Sequence, residues 1–211
     1  MKKILFNLLM LLTICVSMSA KEKKDDTKYL AGAVPEVNGI VTFTKSFTVP
    51  GKSTEAINEA MRQFVNNLVE NSIPAPGNYA RIIEDENGTI VARVCEWMVF
   101  KKKALNLDRT RFRYQLEVNT VGNRVSIKVT NLSYYYNEDM ETQNGIIFKA
   151  EEWISDSEAL NKARTKLYPK SGKFRRKTVD RIEELFNSAM DIFEVPETAP
   201  QKPVRKGVVE D

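Results

Sequence analysis

The chain has 211 residues, 42% hydrophobic and 28% charged, the composition of a globular protein with room for one domain and a buried core. It contains no histidine, which removes Ser-His-Asp and Cys-His catalysis, His-ligated zinc and haem, and any histidine pH switch. Its two cysteines are too few for a metal cluster or a disulfide framework.

Residues 1–20 read as a secretory signal peptide. Lys2 and Lys3 form a positive start, Ile4 to Val16 is mostly apolar, and Ser19-Ala20 places small residues before the charged run at Lys21. The apolar run is too short for a membrane span. The expected location is therefore the periplasm or outer cell envelope of a bacterium. Leu12-Thr13-Ile14-Cys15 offers a lipoprotein variant, but Ile14 stands where a small residue is the norm. Plain cleavage after Ala20 is favoured, and membrane contact is expected only if Cys15 is lipidated. Cleavage removes Lys2 and Lys3 and leaves 30 basic against 28 acidic residues, so overall basicity says little about an anionic partner. It also leaves Cys95 alone, with no internal disulfide to form.

Residues 21–38 read as a charged, then turn-rich linker. In 39–49, Val41, Phe43, Phe47 and Val49 alternate with polar residues, a strand stopped by Pro50-Gly51. A helix follows, capped by Ser53 or Thr54, with Ile57, Met61, Phe64, Val65 and Leu68 as its apolar stripe. Ile73-Pro74-Ala75-Pro76-Gly77 ends it. Strands are predicted at 79–85 and 89–100, joined by a hairpin at Asn87-Gly88, and at 109–120 and 124–136, joined at Gly122. Residues 137–148 read as an irregular loop, 155–167 as a short helix, and 168–172 as a break. A long helix is predicted over 178–193, and 194–211, with three prolines and mixed charge, reads as a disordered tail, the second sheet face being open or covered by it. The order β-α-β-β-β-β-α-α implies an α+β domain, an antiparallel sheet with helices packed on one face.

Glu36-Val37-Asn38-Gly39-Ile40-Val41, Pro50-Gly51-Lys52-Ser53, the run from Gly88 to Arg93 on to Glu96-Trp97, Ala150-Glu151-Glu152-Trp153-Ile154 and Ser171 to Lys177 together resemble a family of exported bacterial domains of unknown function with a TATA-binding-protein-like fold. The resemblance covers most of residues 36–190 and implies the fold. It implies no activity and no catalytic residues, and a fold name is no evidence for DNA binding.

Several motifs have bland readings. Pro50-Gly51-Lys52-Ser53-Thr54 sits between strand and helix as a P-loop would, but position 46 is serine where the pattern needs glycine, so no nucleotide is expected. Asp85-Glu86-Asn87-Gly88 lacks both anchoring acids of a calcium loop and reads as a turn. Cys95 has no base beside it and reads as a small buried hydrophobe. No metal or cofactor is expected. Glu96, Glu117, Glu151 and Glu152 are candidates for a carboxylate pair only by lying on strands or near tryptophan.

The informative feature is a face. In 109–120, Phe112, Tyr114, Leu116 and Val118 alternate with Arg109, Arg111, Arg113, Gln115 and Glu117. In 124–130, Val125, Ile127 and Val129 alternate with Arg124, Ser126, Lys128 and Thr130. Parity adds Arg93 and Trp97. Arg93, Trp97, Arg111, Arg113 and Lys128 are thus the candidate partner-binding residues, against a plain alternative of a solvated face with cross-strand ion pairs. A second basic cluster, Lys170, Lys173, Arg175, Arg176 and Lys177, precedes the last predicted helix, where cations oppose the helix dipole. It is expected to be solvated or to meet acids such as Glu151, Glu152 or Asp156.

The expected function is a non-enzymatic binding module of the envelope, with a protein, peptide or glycan partner and no nucleic acid. The alternative is a carboxylate-dependent hydrolase of glycan or peptidoglycan, which requires two close acids beside Trp97 or Trp153. The apolar faces should meet: Ile57, Met61, Phe64 and Leu68 against Phe112, Tyr114, Leu116, Val125 and Ile127. A fully buried Phe64 would cost about 3–5 kcal/mol on truncation to alanine.

Overall fold

The computed structural model describes residues 25–75, 78–103, 106–136 and 145–196. The expected signal peptide, Cys15 and residues 197–211 of the expected tail lie outside the described residues, as do 137–144 of the expected loop.

A 3-10 turn at Thr27–Tyr29 leads into a small hairpin, β1 (Glu36–Val37) and β2 (Ile40–Val41), then β3 (Phe43–Thr48) and α1 (Thr54–Glu70). The central strands are β4 (Arg81–Glu86), β5 (Thr89–Lys103), β6 (Asn106–Val121) and β7 (Arg124–Tyr136), followed by β8 (Ile146–Lys149). Three helices close the chain: α2 (Ala150–Trp153), α3 (Asp156–Ala159) and α4 (Pro169–Asp191). The sheet runs β3-β7-β6-β5-β4, every pair antiparallel, with β8 on β7 beyond the end of β3.

Both hairpins form where predicted. Asn87 and Gly88 both take positive φ, 51° and 79°, as a two-residue type I′ turn demands. A side chain at Gly88 would also meet the Thr120 carbonyl at 2.8 Å, so close approach and backbone angle together require glycine. Ser53 caps α1, accepting from the Ala56 N–H at 3.3 Å.

α1 and α4 lie on one face of the sheet. Ile57, Met61 and Val65 are buried there, over Phe112, Tyr114, Leu116, Val125 and Ile127 of the core. Phe64 and Leu68 are only partly buried at the flank facing α4. Truncating Phe64 is therefore expected to cost less than a fully buried phenylalanine would.

Four readings need correction. The segment 25–38 is no loose linker. Asp26 pairs with Arg176 (2.6 Å), Tyr29 Oη donates to Asp180 (2.9 Å), and Val34 is buried in the core. The irregular loop contains β8, because the apolar run Ile146-Ile147-Phe148 pairs with Tyr134–Tyr136 and turns Phe148 onto Trp153 (4.3 Å between rings). The helix expected over 155–167 is confined to Asp156–Ala159. The Asn161 carboxamide accepts from the N–H groups of Thr165 and Lys166 and folds the rest into a turn that bridges Leu160 and Leu167. The expected break at 168–172 is instead the first turn of α4, with Pro169 at its start, where its missing N–H costs nothing.

The second basic cluster consequently lies inside α4 and is largely structural. Arg175 is 0% exposed. Its Nε donates to the Tyr29 carbonyl (2.6 Å), Nη1 to the Ile154 carbonyl (2.6 Å), and Nη2 to the Leu30 carbonyl (2.7 Å) and Asp156 Oδ1 (2.6 Å). Lys173 meets Asp108 at 2.7 Å.

Candidate binding face

The outer face of the sheet, away from α1 and α4, is built by strand parity. Along β6, Thr110, Phe112, Tyr114, Leu116, Val118 and Thr120 are buried, and the residues between them are half-exposed. In β5, Arg93, Cys95, Trp97 and Val99 stand opposite Gln115, Arg113, Arg111 and Arg109, so all share the outer face. The register holds until a shift between Val99 and Lys101, beyond these residues.

β7 reaches the same result by a different route. Its buried set changes phase from Val125, Ile127 and Val129 to Leu132 and Tyr134. Asn131, at φ 54°, is the extra residue that absorbs the change, a bulge in the left-handed conformation asparagine tolerates. The bulge puts Tyr135 on the outer face, opposite Arg111.

Aromatic rings and cations interleave there. The Arg109 guanidinium lies 3.6 Å from the centre of the Trp97 ring, and that of Arg111 lies 5.3 Å away. Tyr79, carried across the β5 edge by the segment after α1, meets Arg93 (5.7 Å) and Arg113 (5.1 Å), and Arg113 also meets Tyr135 (5.4 Å). That segment is tied to the edge by Ile73 N–H to the Cys95 carbonyl (2.8 Å) and by Arg111 to the Pro74 carbonyl. Arg81, opposite Arg93, adds a further cation and donates to the Asn78 carbonyl at 2.8 Å. Burial pushes the Tyr79 hydroxyl's pKa up, against the pull of Arg93 and Arg113.

Cys95 is sealed beneath this layer. Burial pushes its thiol pKa up against the opposing hydrogen bond and charge of Arg113, so it stays a thiol and packs as a small hydrophobe.

Of the five residues expected to share a site, Arg93, Trp97, Arg111 and Arg113 come together. Lys128 is on the same face but apart from them, cross-strand from Glu117 and paired with it at 2.6 Å. That end of the face matches the plain solvated reading. Arg109 belongs to the cluster by the same parity. Tyr135 is hidden by the bulge, and Tyr79, expected to open the strand at 79–85, lies in the connection before β4, which begins at Arg81.

Among the acids considered for hydrolysis, Glu151 and Glu152 are neighbours in α2 that line one cavity of about 550 Å³ beside Ile40 and Ile147, while Glu96 and Glu117 lie on β5 and β6. Glu96 is held by Arg181 in a two-point ion pair (2.7 and 3.0 Å), in a cavity of about 300 Å³ between α1 and α4. Glu117 pairs with Lys128, Glu151 accepts from the Val41 N–H (2.8 Å), and Glu152 lies 4.0 Å from Lys149. Asp85 of the calcium-like turn is gripped by Arg62 at 2.6 and 2.9 Å.

An antiparallel sheet with a helix crossing between its edge strands and a long C-terminal helix on the same face defines an α+β protein of the TATA-binding-protein-like class. Residues 43–135, from β3 through β7, match the model of the domain of unknown function DUF4468, described as having a TBP-like fold, and the chain belongs to that family. It is 40% identical to a DUF4468 family protein from Bacteroides ovatus, with a TM-score of 0.72 over 84% of this chain and 100% of that one. A TBP-like protein from Parabacteroides distasonis shares the fold at 20% identity, with a TM-score of 0.59 over 78% of this chain and 99% of that one. No curated protein matches the chain.

Proposed function

We propose that the protein is an exported, non-enzymatic binding module of the bacterial cell envelope that meets an anionic partner through the outer face of its sheet. The observation that carries this reading is the seating of Arg109 and Arg111 over Trp97, and of Arg93 and Arg113 over Tyr79. Rings braced against guanidinium groups hold long side chains in place, which lowers the entropy lost when a partner binds. Each of the four candidate acids already faces a cation or a backbone N–H of the chain, which supports a binder over a hydrolase.

Affinity capture from the native envelope tests the reading. The Arg109→Gln/Arg111→Gln variant is expected to lose the partner that the wild type retains, with the wild-type complex weakening as salt rises. Equal recovery by both proteins, with the variant folded by circular dichroism, would remove this face from the mechanism.

Export rests on the positive start, apolar run and small residues before Lys21. Intact-mass measurement of protein from the native host is expected to give a chain beginning at Lys21. A lipidated Cys15 at the N-terminus would instead anchor the module to a membrane.

A further inference from the structure

We infer that the ligand of this face is an extended acidic peptide segment of a partner protein, carrying carboxylates at alternate positions and lying along β6. The inference rests on the reading above that the arginine face is the docking surface. It adds the chemistry and the repeat of what docks.

The repeat comes from the strand. Arg109, Arg111 and Arg113 occupy every second position of β6 on one face, with no register shift among them against β5. Antiparallel strands rise about 3.4 Å per residue, so the three cations recur about every 6.8 Å. An extended peptide has the same rise and turns alternate side chains the same way. Carboxylates at alternate positions therefore match the arginines one for one, and a block of adjacent acids turns half its charge away.

The chemistry comes from what the rings already hold. Trp97 carries two guanidinium groups and Tyr79 carries two. A single-stranded nucleic acid needs aromatic faces on which its bases stack. A sugar ring packs on aromatic faces in the same manner, and here those faces meet arginine. What a guanidinium over a ring offers a ligand is the N–H groups around its edge, a fork matched to a carboxylate. Arg113 makes this concrete. Its side chain sits between Tyr79 and Tyr135 with Nε buried beneath, so a carboxylate approaching from solvent meets the terminal N–H groups of a guanidinium that the two rings hold in place.

The test is a fluorescence-anisotropy titration of the whole protein with labelled peptides of about ten residues. One alternates Glu and Ser, and one holds the same residues as a Glu block followed by a Ser block. Oligogalacturonate and oligo-dT of equal charge complete the set. The alternating peptide is expected to bind at least about tenfold tighter than the block isomer. Arg113→Lys, which keeps the charge and loses the fork, is expected to shrink that ratio toward one. Equal affinity for the two isomers in the wild-type protein would overturn the inference, because charge without register would then be the whole effect. Tighter binding of oligogalacturonate or oligo-dT would overturn it in favour of a glycan or a nucleic acid. The comparison of isomers uses the wild type alone, so it stands whether or not a variant folds. If the isomers bind equally while Arg109→Gln/Arg111→Gln still abolishes envelope capture, the inference fails and the docking face survives. If capture is also unaffected, both fail.

Discussion

Arg175→Met is expected to destabilise the protein by about 3–5 kcal/mol, the usual loss when one partner of a buried ion pair is removed. The guanidinium is 0% exposed and joins three parts of the chain through the carbonyls of Tyr29, Leu30 and Ile154 and the Asp156 carboxylate. Methionine fills much of the volume but donates to none of them, so the Tyr29 and Ile154 carbonyls lose this donor, Leu30 falls back on the Ala33 N–H (3.0 Å), and among the described residues Asp156 keeps the Gly32 N–H (2.9 Å). Arg175→Lys should recover little, because one ammonium cannot reach acceptors placed around a planar fork. Urea denaturation at unchanged slope measures the loss. A midpoint equal to wild type for both variants would show that the arm is held by Asp26, Lys28 and Tyr29 alone.

Phe174→Ala should cost a similar amount, about 3–5 kcal/mol, for an apolar reason. The ring is 1% exposed and is the hub of an aromatic cluster, with ring centres at 4.5 Å to Phe100, 5.1 Å to Tyr134, 5.4 Å to Tyr136 and 5.9 Å to Trp153. Truncation leaves a cavity where β5, β7, α2 and α4 converge, and well-packed rings cannot collapse into it without leaving favourable edge-to-face geometry. Phe174→Leu, which retains most of the volume, should lose much less. If the two substitutions cost the same, the ring contacts rather than the cavity set the energy. If neither lowers the midpoint, the cluster is not part of the cooperative core.

Residues 174 and 175 also mark where the fold stopped being legible in the sequence. Alternation in β6 is local and strong, so its two faces, and with them Arg111 and Arg113, follow from residue types alone. The Asn87-Gly88 hairpin and the Ser53 cap are equally local. The start of α4 is not. Read along the chain, Pro169, Gly172 and five cations argue against a helix. Their reasons are distant: Gly172 leaves room for Leu167, whose Cβ would lie 2.9 Å from an added methyl, and Arg175 and Arg176 serve groups about 150 positions earlier. The binding face divides in the same way. Parity along β5 and β6 reveals its cations, but Tyr135 depends on a one-residue phase change at Asn131. Tyr79 depends on the path of a connection across an edge.

The clamp between residues 25–34 and α4 sets an order of events. A chain emerges from its N-terminus, so Asp26 is present long before Arg176, 150 positions later. Tyr29 and Leu30 likewise wait for Arg175. The strands can pair, and α1 can settle on them, while the N-terminal segment still has nothing to hold it. Closure waits for α4, the last helix in chain order among the described residues, and is a contact of high sequence separation that forms late and slowly. A chain cut short before residue 169 keeps all its strands and leaves its own beginning loose, which exposes it to proteolysis. The clamp thus closes only in a chain whose synthesis has passed Arg176 and whose segment from Asp26 is intact.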